Sequence, residues 1–146
     1  MSTTDPIIFS VTDQVAKIIL NRPEVYNSFN LELANRTQEV LQTCKEDTDI
    51  RAVYITGAGK AFSAGQDIKV FTGDNPPALS SILNERFNPI IKRICELDKP
   101  VVAAVNGVAA GAGSSLALAC DICVASESAN FIQSFANIGL IPDGGA

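Results

Sequence analysis

Two glycine-bearing turns are the part of this sequence best suited to chemistry. They span residues 62–67 and 107–113, and each follows an apolar run that is typical of a strand. Turns of this kind leave backbone N–H groups without intrahelical acceptors, so they can bind whatever lies in front of them. One such turn is a weak signal. Two in a single small domain predict paired donors for one oxygen atom that becomes negatively charged during a reaction.

Other chemistries fit the sequence poorly. The chain contains no histidine, so the serines in and after the two turns have no imidazole base. Residues 57–60 suggest a phosphate-binding loop, but that pattern requires a glycine at Tyr54 and a serine or threonine at Ala61. The dinucleotide-binding pattern also fails, because Leu116 stands where its third glycine belongs.

Composition indicates a globular domain of 146 residues, with 47% hydrophobic and 18% charged residues. The formal net charge of -5 argues against an electrostatic nucleic-acid surface. No stretch approaches the roughly 18 apolar residues of a membrane span, and the N-terminus lacks the features of a signal peptide. We therefore expect a soluble, cytoplasmic protein that binds neither nucleic acid nor membrane.

The four cysteines are Cys44, Cys95, Cys120 and Cys123. The last two form a C-x-x-C pair, which is also found in metal and redox sites. No second pair and no histidine completes a zinc site, and the pair falls in what looks like a buried strand. We predict buried structural thiols and no metal.

An α/β architecture with parallel strands is predicted from alternating strand and helix patterns. Residues 7–11 and 15–20 are typical of a hairpin, and Asn30 is placed to cap a helix over 31–46. Further strands are predicted at 52–56, 101–105 and 122–125, with helices at 79–94, interrupted by Pro89, and at 112–119. The chain stops at what looks like the start of a helix, so we expect an incomplete domain.

Four motifs in register resemble the enoyl-CoA hydratase/isomerase (crotonase) family. They are Asn21-Arg22-Pro23 with Asn27-Ser28-Phe29, residues 61–68, residues 99–107 and residues 138–143. The resemblance implies a spiral of repeated strand–strand–helix turns that binds an acyl-CoA thioester. It also implies C-terminal helices, absent here, that form a homotrimer or a dimer of trimers, and no cofactor besides the coenzyme A of the substrate.

Carried over from the family, the thioester oxygen would be held by the N–H groups of Gln66 and Ala112. This agrees with the independent interpretation of the two turns. Ala64, Gly65 and Gly111 would complete the substrate site beside these donors. The alternative is that the glycines only permit tight packing.

The resemblance also places the coenzyme A body along Glu24, Val25 and Tyr26, with its adenine near Asp67 and Ile68. Many relatives carry a basic residue where Glu24 stands, which weakens any phosphate contact at that position. Candidate phosphate partners elsewhere are Lys69 and Arg22, although both are also typical surface charges.

The acid–base position decides the reaction. Hydratases of this family use two glutamates, and the matching positions here are Ser115 and Phe135, neither of which exchanges a proton at neutral pH. Asp143 matches the single aspartate of family members that shift double bonds or open rings. An apolar wall formed by Phe135 and Ile132 would raise the pKa of Asp143.

We therefore predict an acyl-CoA isomerase, closest in motif to the type that isomerises ring epoxides in phenylacetate breakdown. Three alternatives stay open. Asp143 could merely complement a helix dipole, the protein could be a hydratase that uses another acid, or the chain could be a catalytically inactive fragment.

Overall fold

The computed structural model describes residues 5–72, 75–133 and 135–145. Residues 1–4, on which the prediction of no signal peptide partly rests, lie outside these ranges. Within them, no helix combines the length and the apolar composition needed to cross a membrane.

Strands of the described residues form two sheets. A five-stranded sheet has the order β1-β2-β3-β5-β7, and a three-stranded sheet has the order β4-β6-β8. The first pair, β1 with β2, is antiparallel and every other pair is parallel. In chain order the strands are β1 (Ile7–Thr12), β2 (Val15–Leu20), β3 (Ala52–Gly57), β4 (Ala61–Ser63), β5 (Val101–Val105), β6 (Val108–Ala110), β7 (Ile122–Ala125) and β8 (Asn130–Ile132).

Helices connect the strands of the two sheets. The α-helices are α1 (Leu31–Glu46), α2 (Leu79–Ile82), α3 (Asn88–Cys95) and α4 (Ala112–Leu118). Between α2 and α3 the chain forms a π-helical turn, Leu83–Phe87. Short 3-10 turns occur at Pro23–Val25, Ile68–Phe71 and Phe135–Ile138.

A strand–strand–helix unit repeats along the chain, as predicted. The units start at β3, β5 and β7; the first strand of each joins the large sheet and the second joins the small one. The strands of the small sheet were not predicted individually. Each has only three residues, which is too short to show a period of two.

The predicted hairpin and first helix are confirmed. The hairpin turns through Asp13 and Gln14, whose φ angles of 50° and 65° suit a two-residue turn. At the start of α1, the side-chain oxygen of Asn30 accepts a hydrogen bond from the N–H of Leu33 at 2.9 Å. The buried face of α1 consists of Leu33, Ala34, Thr37, Val40, Leu41 and Cys44, at the spacing of an amphipathic helix.

Pro89 interrupts the second helical segment, also as predicted, but the interruption takes the form of a π-helical turn. The N–H of Asn88 donates to the carbonyl oxygen of Leu83, five residues earlier. Pro89 has no N–H to offer the carbonyl of Glu85. The side-chain amide of Gln38 on α1 donates to that carbonyl instead, at 2.9 Å. A side chain of a neighbouring helix thus replaces the missing intrahelical donor.

The prediction of a buried strand around Cys123 is wrong. β7 lies at the edge of its sheet, and Ile122 and Val124 remain 53% and 58% exposed. Cys123 and Cys95 are accordingly exposed, whereas the other two thiols are buried. Burial raises the pKa of Cys44 to about 11 and that of Cys120 to about 12.

Asn27 joins the hairpin to the first repeated unit. It is fully buried with a φ of 55°, a left-handed conformation that asparagine tolerates better than most residues. Its side-chain oxygen accepts from the N–H of Arg22, and its amide donates to the carbonyls of Ala58 and Ala61, all at 2.9 Å. Three hydrogen bonds of one side chain therefore fix the segment that precedes the first glycine-bearing turn.

Replacing Asn27 with alanine is expected to lower the free energy of unfolding by about 3 kcal/mol. The change removes three hydrogen bonds to buried or partly buried backbone groups and puts a less tolerant residue at positive φ. Urea unfolding followed by circular dichroism measures the effect. Asn35→Ala, at an exposed position of α1, is the control and should change stability by less than about 0.5 kcal/mol. Equal effects of the two substitutions would contradict the role assigned to Asn27.

Candidate active site

A cavity of about 250 Å³ opens where the two glycine-bearing turns face the segment that contains α2. Its wall is apolar except for the backbone of the turns, the side chain of Gln66 and the carboxyl group of Asp143. The apolar side chains that line it are Ile68, Phe71, Leu79, Ile82, Leu83, Phe87, Ile132, Phe135 and Leu140.

The pairing of β4 with β6 brings the two turns together. Ser63 pairs with Ala109 in this parallel ladder. Continuing three residues along both chains leads to Gln66 and Ala112, which both line the cavity. The turns are in contact, because a Cβ atom built on Gly65 would lie 3.2 Å from the amide nitrogen of Ala112. Gly65 has a φ of 83°, so both its conformation and this close approach require glycine.

The backbone N–H groups of Gln66 and Ala112 donate no hydrogen bond within the part of the chain that the structure describes. Their neighbours do: the N–H of Asp67 donates to Phe29 at 3.0 Å, and that of Gly111 donates to Ile132 at 2.8 Å. Unpartnered N–H groups are uncommon in protein interiors. Two of them beside one apolar cavity form a potential binding site for a hydrogen-bond acceptor.

Ser63 is a buried residue of the first turn that also contacts the second turn. Its hydroxyl donates to the carbonyl of Asn27 at 2.8 Å and accepts from the N–H of Gly65 at 3.1 Å. On its other side lies α4, so close that a Cβ atom on Gly113 would approach the Cβ of Ser63 to 2.7 Å. The separation of the two turns is therefore set by packing and hydrogen bonds around one residue.

Asp143 places a carboxyl group in the wall of the cavity. The segment that carries it packs on α4, where the hydroxyl of Ser115 donates to the backbone carbonyl of Asp143 at 3.4 Å. Burial raises the pKa of Asp143 above its ordinary value of 3.8. Among the described residues that line the cavity it is the one ionisable group. In the described part of the chain, no three His, Cys, Asp or Glu side chains gather as they would around a metal ion.

Comparison with known proteins identifies the family of this chain. The sequence pattern of the enoyl-CoA hydratase/isomerase family matches residues 10–146. The chain belongs to this family. It is 44% identical over 142 residues to the 1,2-epoxyphenylacetyl-CoA isomerase of Escherichia coli K12. The aligned region covers 95% of this chain and 54% of that protein.

Two further relatives support the same family and fold. The trans-2-decenoyl-[acyl-carrier-protein] isomerase of Streptococcus mutans is 37% identical over 143 residues, 95% of this chain and 54% of that protein. The crystal structure of an enoyl-CoA hydratase from Bacillus anthracis superimposes with a TM-score of 0.90 at 37% identity, covering 96% of this chain and 55% of that one. The predicted crotonase-like fold is thus confirmed. The chain spans about half the length of the curated relatives it matches.

At the two positions where hydratases of this family would carry glutamates, the structure holds Ser115 and Phe135. Phe135 lines the cavity and is 9% exposed. Ser115 is fully buried beneath Asp143 and does not line the cavity. Ile132, predicted beside Phe135, also lines the cavity. Asp143 therefore faces an apolar wall rather than a second carboxyl group.

Only some of the residues predicted to bind coenzyme A line the cavity. Ala64, Ile68 and Gly111 line the cavity, whereas Glu24, Val25 and Tyr26 lie outside it on the surface. This surface segment is still tied to the rim, because the N–H of Ala64 donates to the carbonyl of Tyr26 at 2.8 Å.

Asp67 and Arg22 form an ion pair rather than two free contacts for a ligand. The Asp67 carboxylate accepts from both terminal nitrogens of Arg22 at 3.2 Å, and Arg22 also donates to the carbonyl of Ser28. The pair is largely buried, because the side chain of Arg22 is 18% exposed and that of Asp67 is 11% exposed. Arg22 is therefore occupied in fixing the first turn, which argues against the phosphate contact predicted for it.

The part of the cavity wall that α2 and the π-helical turn contribute was not predicted from the sequence. Leu79, Ile82, Leu83 and Phe87 line the cavity, although their helical spacing is equally typical of a core-facing helix. Phe87 contributes to both the cavity wall and the core, because its ring also packs edge-to-face on that of Phe29 with the ring centroids 5.7 Å apart. Helical spacing of apolar residues alone does not distinguish a helix face that lines a cavity from one that packs against the core.

The raised pKa of Asp143 has a consequence for stability. At a pH above the raised pKa the carboxylate is ionised in both the folded and the unfolded chain, but burial penalises it only in the folded one. Below the ordinary value of 3.8 the group is protonated in both states and the penalty disappears. The stability that the protonated carboxyl group of Asp143 contributes is thus lost as pH rises through its raised pKa.

Asp143→Asn should therefore unfold at a higher urea concentration than the wild type near pH 7. The gain is expected to be below about 1 kcal/mol, because the half-buried carboxylate stays partly screened by water. Urea titrations at several pH values from 7 down to 4 should show the gain shrinking. A gain that does not change with pH would contradict burial as the cause of the raised pKa.

Proposed function

We propose that the protein isomerises an acyl-CoA thioester, with Asp143 moving a proton while the N–H groups of Gln66 and Ala112 stabilise the thioester oxygen. The observation that carries this proposal is the combination, in one apolar cavity, of two unpartnered N–H groups with a single carboxyl group. The thioester itself comes from the names of the relatives, several of which act on acyl-CoA.

The two donors lie close enough to suit one shared oxygen. A Cβ atom built on Gly65, the residue before Gln66, would lie 3.2 Å from the amide nitrogen of Ala112. An N–H group binds an oxygen at about 2.9 Å, so an oxygen in front of the two turns would be within reach of both donors. Such donors stabilise the negative charge that develops on the oxygen when a proton leaves the neighbouring carbon.

The carboxylate of Asp143 would accept that proton. The electron pair of the broken C–H bond then moves to the thioester oxygen and forms an enolate. The same carboxyl group returns the proton to another carbon, so that the double bond shifts and no atom is gained or lost. The apolar wall supports this role in two ways, because it excludes water and raises the pKa of Asp143 toward the working range.

Hydration is the alternative reaction within the family. Adding water to a double bond is best served by two carboxylates, one to position the water and one to deliver its proton. Ser115 and Phe135 supply neither, and Phe135 places a ring in the cavity wall. The isomerase is therefore the better supported proposal, and a 3-hydroxyacyl-CoA product would contradict it.

Three further features belong to the same proposal and follow from the resemblance alone. The full-length protein would be a homotrimer or a dimer of trimers, it would act in the cytoplasm, and it would need no cofactor beyond the coenzyme A of its substrate.

Asp143→Asn is expected to lower kcat by about 10²- to 10⁴-fold, the usual contribution of a general acid–base group. The amide cannot accept the proton but has nearly the same shape. Turnover of enoyl-CoA and of ring-epoxide-CoA substrates would be followed by mass spectrometry, with coenzyme A binding as a check on the integrity of the site. Equal rates in the two proteins would remove the proposed mechanism.

Ala112→Pro tests the donors separately from the acid. Residue 112 is the first residue of α4, a position where proline is well tolerated, so the substitution removes one N–H group from the cavity with little effect on the helix. We expect kcat to fall by about 10²- to 10³-fold. Ala112→Gly keeps the N–H group and should lose less than about tenfold. If both variants lost activity equally, the N–H of residue 112 would not be the functional group.

A further inference from the structure

Ser115 is a buried serine to which the proposed reaction gives no role. It lies in α4, is fully buried and does not line the cavity. A serine inside a helix commonly donates its hydroxyl hydrogen to the carbonyl four residues earlier. Ser115 does so, with its Oγ 3.3 Å from the carbonyl oxygen of Gly111. This contact alone would be an ordinary feature of a helix.

A second carbonyl approaches the same hydroxyl from outside the helix. The Oγ atom of Ser115 lies 3.4 Å from the backbone carbonyl oxygen of Asp143. Both contacts are longer than the usual distance of about 2.7–2.8 Å for a hydroxyl donor, because a single hydrogen is shared between two acceptors. Ser115 therefore joins the start of α4 to the segment that carries the carboxyl group of the cavity.

The carbonyl of Gly111 determines the direction of the second donor. This carbonyl and the N–H of Ala112 belong to one planar trans peptide unit, so they point in opposite directions. The backbone N–H of Ser115 also donates to the carbonyl, at 3.0 Å. Two donors of Ser115 thus hold the carbonyl along α4. The N–H of Ala112 is consequently directed away from the helix, and Ala112 lines the cavity.

The chain after Asp143 packs on the same side chain. Gly144 is buried, and a Cβ atom built on it would lie 3.9 Å from the Cβ atoms of Ser115 and Phe87. A longer side chain at position 115 would meet this segment. The small size of serine thus allows Asp143 to approach the start of α4.

We infer that Ser115 is the positioning residue that fixes the carboxyl group of Asp143 relative to the N–H of Ala112. The inference rests on the proposed function, because it gives the acid and one donor of that reaction a common support. Ser115 lies outside the cavity and acts through two backbone carbonyls. Proton transfer depends on such support, since a misplacement of about 1 Å can cost about 10²-fold in rate.

The pKa of Asp143 reports how far its carboxyl group is held in the cavity. Burial is the cause of the raised pKa. The groups that pack on its segment are uncharged: Ser115 from α4, Phe87 from the π-helical turn and Ile91 from α3. No other described residue that lines the cavity is ionisable. A change in the position of the segment should therefore change this pKa through solvation.

Ser115→Ala removes the hydroxyl and keeps the space. The segment loses one contact, so the carboxyl group should become more exposed and its pKa should fall toward the ordinary value of 3.8. An NMR titration that follows the carboxyl carbon of Asp143 measures this pKa without any substrate.

Ser114→Ala is the matched control. Ser114 is the preceding residue of α4 and is equally buried, but its hydroxyl accepts from the side-chain amide of Gln133 at 3.2 Å. It does not line the cavity. This variant should keep the wild-type pKa of Asp143.

Steady-state kinetics adds a readout that a loss of stability does not imitate. In Ser115→Ala, kcat should fall about tenfold while KM stays unchanged, because the acid is misplaced and the binding site is intact. The second donor should be kept, since the backbone N–H of Ser115 still holds the carbonyl of Gly111. Ser114→Ala should keep both kinetic constants.

Ser115→Leu tests the space beside Gly144. Its longer side chain should displace the segment, lower the pKa of Asp143 at least as far as Ser115→Ala does, and lower kcat by about 10²-fold. A Ser115→Leu variant that keeps the wild-type pKa and kcat would contradict the role assigned to the small side chain. If this variant fails to fold, Ser115→Ala decides the inference.

Either of two results would overturn the inference: a pKa of Asp143 that is the same in Ser115→Ala as in the wild type, or a Ser114→Ala variant that changes the pKa or kcat as much as Ser115→Ala does. The proposed isomerase is judged separately, by the turnover of the wild type. If the pKa falls in Ser115→Ala but the wild type converts no acyl-CoA, the result counts against the proposed function and not against the support that Ser115 gives to Asp143.

Discussion

The parallel pairing of β4 with β6 is the constraint on which the site depends. It brings the two glycine-bearing turns into contact just beyond the strands, where a Cβ atom on Gly65 would lie 3.2 Å from the amide nitrogen of Ala112. The donors are backbone groups, so the side chains of Gln66 and Ala112 do not determine their position. What matters is that no group in the described part of the chain accepts from these N–H groups and that the glycines beside them permit the turns.

Much of the surrounding structure holds this pairing in place. Asn27 anchors the segment before β4, and Ser63 connects the first turn with the second. The ion pair of Arg22 with Asp67 fixes the end of the first turn. All of these contacts are hydrogen bonds between buried or largely buried groups, which are costly to leave unmade. The local rigidity that they impose suits donors that must be positioned before a reaction begins.

The long elements could be predicted from the sequence, and prediction failed where structure depends on short or distant contacts. The cap at Asn30 and the helix that follows it were recognisable because capping and helical spacing are local properties. The proximity of the two glycine-bearing turns was also expected, but their role as donors to a ligand stays a prediction. β8 was missed because three residues show no period, and the exposure of Cys123 was missed because the position of a strand in a sheet is not encoded in the strand itself.

The π-helical turn also separates two tasks within one helical segment. Its extra residue acts as a phase shift of about 100° between the faces of α2 and α3. Before the shift, Leu79 lines the cavity, and Ile82 both lines it and belongs to the buried core; after it, Ile90 and Ile94 belong to the core and do not line the cavity. Leu79 is 37% exposed, so a substitution there can reshape the cavity while the packing of α3 on α1 stays intact. One end of the segment can thus vary at little cost to folding.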